Sequence, residues 1–65
     1  MKYLATIVNG VETYSKSFNT IVEAERWLDM NNNNGELTTI IDEYNDKWQK
    51  VDGFFYTEAK NESFN

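Results

Sequence analysis

The sequence predicts an α+β domain of order β-β-α-β-β, folded as a four-stranded antiparallel sheet with one helix packed on one face. Three observations carry that prediction. Asn9-Gly10 separates two strand-like runs, Thr20-Ile21-Val22-Glu23 opens an amphipathic stretch, and two more strand-like runs follow an asparagine-rich break.

Tyr3-Leu4-Ala5-Thr6-Ile7-Val8 is mostly β-branched or aromatic and runs into Asn9-Gly10, a pair suited to a type I′ hairpin because both turn positions need positive φ. A second strand is expected from Val11 to Phe18. A two-residue loop sets Ala5 opposite Tyr14 and Ile7 opposite Glu12. One face then carries Met1, Tyr3, Ala5, Ile7, Tyr14 and Phe18, the better candidate for the core. The other carries Leu4, Thr6, Val8, Val11, Thr13 and Ser15, semi-polar as the wet side of an antiparallel sheet should be.

Thr20 and Glu23 have the spacing of a capping box, with the Thr20 hydroxyl taking the amide of residue 23 and Glu23 reaching back to the amide of residue 20. The helix is expected to run to about Met30, with Ile21, Ala24, Trp27 and Leu28 on the stripe that faces the sheet. Asp29 then falls near the helix C-terminus, where the dipole prefers cations, at a cost of about 0.3–1 kcal/mol. Asn31 to Gly35 should stop the helix, since Asn and Gly accept the left-handed conformation.

Strands are expected at Leu37–Tyr44 and Trp48–Tyr56. A three-residue loop at Asn45-Asp46-Lys47 would place Tyr44 beside Trp48 and Asp42 opposite Lys50; a two-residue loop would put Glu43 opposite Trp48. Asp52-Gly53 reads as a bulge or bend. Residues 1–57 form one domain, and 58–65 read as a polar tail. Neighbours between the two hairpins are left open.

Composition narrows the chemistry. The chain has no Cys and no His, which removes thiolate and imidazole metal sites as well as Ser-His and Cys-His catalysis. Asp29, Asn31 and Asn33 alternate as in a calcium loop, but Asn34 stands where Gly belongs and Ile40 where Glu belongs. No phosphate-binding glycine loop is present, and Ser15, Ser17 and Ser63 have no base to activate them. The reading is a non-enzyme with no cofactor and no metal. No apolar run is long enough to span a membrane, and the first residues alternate unlike a signal peptide, so a cytoplasmic protein is expected.

Two Trp, four Tyr and four Phe in 65 residues supply more ring area than a small core needs. Spare rings would serve a binding surface or the pairing of two copies. Eleven acidic against six basic residues give a net charge of −5, which repels nucleic acid and anionic membranes and draws basic protein surfaces. The same charge serves solubility.

Tyr14-Ser15-Lys16-Ser17-Phe18-Asn19-Thr20, continuing through Glu23-Ala24-Glu25-Arg26-Trp27-Leu28, resembles the strand-to-helix passage of the AP2-like arm-binding domains of tyrosine integrases. That resemblance implies a sheet-and-helix architecture and a nucleic-acid-binding module in which the sheet carries basic residues. Here the first two strands offer only Lys2 and Lys16 against Glu12.

The remaining constellation is acidic and aromatic. Asp42, Glu43, Tyr44, Asp46 and Trp48 of the second hairpin, with Glu25 and Asp29 of the helix, are the candidate partner-binding residues. The alternative role for the hairpin is a core ring set with a charged edge that discourages aggregation. Small acidic chains of this kind resemble, in general character, the inhibitors that bacteriophages and other mobile elements direct at host machinery, anti-CRISPR and other anti-defence proteins among them. The resemblance implies a host nucleic-acid-handling or defence protein as target, its basic surface occluded by DNA mimicry, in the host cytoplasm. A small-molecule binder or sponge for a nucleotide signal, acting as an oligomer with Lys47, Lys50 or Arg26 at the phosphates, is the alternative from another class. A virion assembly subunit is a third.

Overall fold

The computed structural model describes residues 1–32 and 35–56. It has the expected order: β1 (Lys2–Asn9), β2 (Glu12–Phe18), α1 (Ile21–Asn31), β3 (Thr38–Tyr44) and β4 (Lys50–Phe55). The four strands form one antiparallel sheet in the order β2-β1-β3-β4. The two hairpins therefore lie side by side with β1 and β3 at the centre, Ala5 facing Ile41 across the seam. The helix lies over β1 and reaches β2 and β3, so one broad side of the sheet is covered and the other is open. The expected tail and Asn33-Asn34 lie outside the described residues.

Both hairpins form out of the expected register, the first by two residues and the second by two at Tyr44 and three beyond its bulge. In the first, Asn9 is a strand residue paired with Glu12, and the turn is Gly10-Val11. Gly10 has φ +64 while Val11 stays in the ordinary region, the pattern of a type II′ turn with glycine at its first central position. Ile7 thus faces Tyr14, and Ala5 faces Lys16. Because the slip is even, every residue keeps its expected face. In the second hairpin the loop is Asp46-Lys47-Trp48, closed by the Asn45 amide on the Gln49 carbonyl at 3.0 Å. Tyr44 pairs with Lys50, and the register shifts opposite Glu43/Tyr44 so that Val51 is the extra residue of a bulge. The bulge thus falls one residue before Asp52-Gly53.

The helix start follows the capping-box expectation in part. The Thr20 oxygen accepts the Glu23 amide at 3.3 Å, but the Glu23 carboxylate takes the Thr20 hydroxyl at 2.9 Å in place of its amide. The C-cap is Asn32, at φ −132, so the left-handed conformation expected of the asparagines is absent there and is taken by Gly35 at φ +70. Asn32 acts through its side chain instead. Its carboxamide accepts the Leu37 amide at 3.0 Å and donates to the Leu37 carbonyl at 3.2 Å, tying the helix end to the entry of β3.

Among the described residues the buried apolar side chains are Ala5, Ile7, Ala24, Leu28 and Ile41. The helix stripe is the expected one, with Ala24 and Leu28 buried and Ile21 and Trp27 packed beside them. No described ring is fully buried. Tyr3, Phe18, Trp27, Phe54 and Tyr56 wall the aliphatic centre instead of filling it. Met1 and Tyr14, expected on the core face, are half exposed.

Candidate functional site

Strand alternation divides the expected acidic and aromatic patch between two sides of the sheet. Asp42 and Glu43 are successive residues of β3 and point to opposite faces. Asp42 lies on the open face, where Lys50 Nζ reaches its carboxylate at 3.2 Å. The pair crosses above Gly53, where a Cβ would stand 2.4 Å from Asp42 Oδ1 and 2.9 Å from the Lys50 stem. This is the Asp42–Lys50 pairing expected from sequence, made diagonally. Glu43 lies on the helix side and accepts the Tyr3 hydroxyl at 3.3 Å.

Tyr44 and Trp48 meet on the open face, ring centroids 6.1 Å apart and tilted by 50°. Lys2 Nζ stands 5.9 Å from the Trp48 ring, within cation–π range, and donates to Asn19 at 3.2 Å. Trp48 is 59% exposed and has φ +61, the one non-glycine residue with positive φ among the described residues. Its position, last in a three-residue hairpin loop, is one that glycine ordinarily takes, and a bulky residue there is strained. Asp46, in the same loop, is 93% exposed beside the Met1 amine at 3.4 Å.

Glu25 and Asp29 lie on α1, on the far side of the sheet from Trp48. They line a groove of about 410 Å³ with Val22, Arg26, Met30 and Tyr56. The Tyr56 hydroxyl donates to both Asp29 oxygens, at 3.2 and 3.1 Å, which joins the end of β4 to the last turn of the helix. Burial, that hydrogen bond and the charges of Asp29 and Glu25, in that order, push the Tyr56 phenol up to about 12. The phenol gives Asp29 a hydrogen-bond donor near a helix C-terminus. Tyr3 and Tyr14 follow the same rule: burial and Glu43 raise the first, and a hydrogen bond to Glu12 followed by burial raises the second. Three carboxylates on the helix side are thus each held by a tyrosine; Glu12 and Tyr14 are neighbours on one strand face, whereas Tyr3–Glu43 and Tyr56–Asp29 have no signal in local sequence.

Charge is layered as a result. Glu12, Glu23, Glu25, Asp29, Glu43 and Asp52 lie with Lys16 and Arg26 on the helix side. Among the described residues the charged side chains on the open face of the strands are Lys2, Asp42 and Lys50, all at the end next to the second hairpin loop. Leu4, Thr6, Val8, Ile40 and Phe55 make up the rest of that face with the hydroxyls of β2, Thr6 and Ser15 bonding each other at 3.0 Å.

One cleft lay outside the sequence reading. Ile7, Asn9, Tyr14, Trp27, Asn31 and Leu37 enclose about 290 Å³ between the helix end and the first hairpin, with no charged residue among them. The residues that form it are spread over β1, β2, α1 and the loop before β3, so only the tertiary fold brings them together. No known protein family, curated protein or solved structure matches the chain. Among the described residues no helix is long and apolar enough to cross a membrane.

Proposed function

We propose that the chain is a protein-binding inhibitor that docks its acidic helix side onto a basic groove of a nucleic-acid-handling or defence protein, standing where phosphates would stand. The observation that carries this reading is the layering of charge: six carboxylates on one broad side and a nearly balanced set on the other. A one-sided field orients the molecule as it approaches a cationic surface and raises the encounter rate. The groove beside α1 adds apolar contact through Val22 and Met30, 56% and 69% exposed, suited to the stems of Lys or Arg side chains. Occlusion needs no bond-making group, which fits a chain without His or Cys. A phage or mobile-element source, and action in a host cytoplasm, belong to the same proposal.

The test is capture from bacterial lysate on immobilised protein, washed at rising ionic strength. A retained partner should be released as the screening length falls from about 8 Å toward 3 Å. The isosteric pair Glu25→Gln and Asp52→Asn leaves the tyrosine–carboxylate contacts in place and should slow association severalfold. A folded bait that retains nothing, or a double variant that captures as before, would defeat the reading.

A small-molecule binder has one observation in its favour, the cleft between Tyr14 and Trp27. Its uncharged lining suits a neutral ring and not a nucleotide, because neither Arg26 nor Lys47 nor Lys50 reaches it. The AP2-like reading would use the open face. Of its two lysines, Lys50 is committed to Asp42, which leaves few contacts to phosphate.

A further inference from the structure

We infer that the open face of the sheet is the interface of a homodimer, two copies meeting sheet to sheet about a two-fold axis with Trp48 and Phe55 as anchors. The inference is independent of the acidic-side reading, since it concerns the opposite face.

The face is large enough for a reversible dimer. Four strands of six to eight residues, about 4.8 Å apart with about 3.3 Å per residue, present a sheet surface on the order of 500 Å² per copy, the scale of a small interface that dissociates on dilution. It is also apolar enough at its middle. Leu4, Val8 and Ile40 on this face are intermediate in exposure, and Phe55 is 49% exposed. The Thr6 and Ser15 hydroxyls bond each other and Asp42 pairs with Lys50, so each of these polar groups enters the interface with one partner already made.

Charge selects a second copy as the occupant. Two bodies of net charge −5 repel in most orientations. Joined through their open faces, they turn both acidic sides outward, with two sheets between them. Slabs 16 Å thick then separate the acidic sides by far more than the screening length of about 8 Å at physiological salt. Edge-to-edge pairing is less well served: β4 carries the Val51 bulge and β2 presents Lys16, both of which blunt an edge.

The need for a partner follows from the core. Among the described residues five apolar side chains are buried, and with no Cys or His for a disulfide or zinc this is a thin core of the kind to which small domains commonly add oligomerisation. Trp48 fits the same account. A tryptophan held at positive φ, where glycine would be relaxed, is a ring presented outward at a cost to the monomer, and burial against a second copy offsets that cost.

Analytical ultracentrifugation of the whole chain across concentration tests this. The wild type should sediment as a dimer of the 7.7 kDa chain at about 100 μM and dissociate on dilution. Phe55→Glu, at an exposed edge position, should weaken association at least tenfold while circular dichroism is retained. Trp48→Gly should weaken it similarly without lowering the melting temperature of the dilute monomer; if one of the two variants fails to fold, the other decides. Glu25→Gln with Asp52→Asn should leave the dimer in place, which separates this inference from the acidic-side reading. A wild type that stays monomeric at that concentration, or a dimer indifferent to both open-face variants, overturns it.

Discussion

Tyr56 shows how a single side chain can organise two elements. Its ring packs against the core while its hydroxyl spans to Asp29, and a carboxylate that the helix dipole disfavours becomes an acceptor with a fixed donor. The sign of the linkage follows from the raised phenol. The folded state keeps the proton more tightly than the unfolded chain, so the contribution to stability is full below about pH 10 and fades as pH climbs toward about 12. Melting temperature should therefore fall between these values. In Tyr56→Phe that fall should be shallower, at a cost near neutrality of about 0.5–1.5 kcal/mol for the lost hydrogen bond. A wild-type curve no steeper than that of the variant would remove Tyr56 from the account. Nothing near Tyr56 in sequence announces the pair, since the partners are separated by 27 positions.

At the scale of elements, the first hairpin depends on one backbone conformation. Gly10 at φ +64 has nothing within 4 Å of where a Cβ would stand, so substitution there meets strain and no clash. Gly10→Ala should then cost about 1–2 kcal/mol, the penalty of a left-handed L-residue, visible as a lowered urea midpoint with an unchanged slope. A neutral outcome would mean the turn can relax into another type. The sequence marked this turn by Asn9-Gly10, yet Asn9 proved to be a strand residue. Glycine alone supplied the positive φ, and a II′ turn needs it at only one position. Helix ends show the same division. Thr20 and Glu23 were legible because a cap is a local spacing. The clamp of Asn32 on Leu37 was not, because it depends on where β3 enters the sheet.

For the molecule as a whole, thinness governs the energetics. A slab with so few buried side chains has little redundancy, and Leu28 is at its centre, fully buried. Leu28→Ala should cost about 2–5 kcal/mol, comparable with the about 3–5 kcal/mol that a core of this size supplies. The variant should be largely unfolded by circular dichroism at room temperature when dilute. Retention of a cooperative transition at the wild-type temperature would show that the open-face interface, and not the aliphatic centre, supplies most of the stability. The layered charge also belongs to this scale. The net value of −5 was visible from composition, but the gathering of six carboxylates on the helix side, among the described residues, depends on which face the helix covers.

By itself the sequence determined what is periodic or adjacent: five elements in order, the helix stripe of Ala24 and Leu28, and the two faces of the first hairpin. Those features survive an even slip in register because side chains alternate with a period of two. The tertiary structure alone decided that β1 and β3 are neighbours, that Tyr44 and Trp48 part company with Glu25 and Asp29, and that tyrosines pair with distant acids. Such facts come from cross-strand packing and burial between residues far apart in the chain, energies that no local pattern carries.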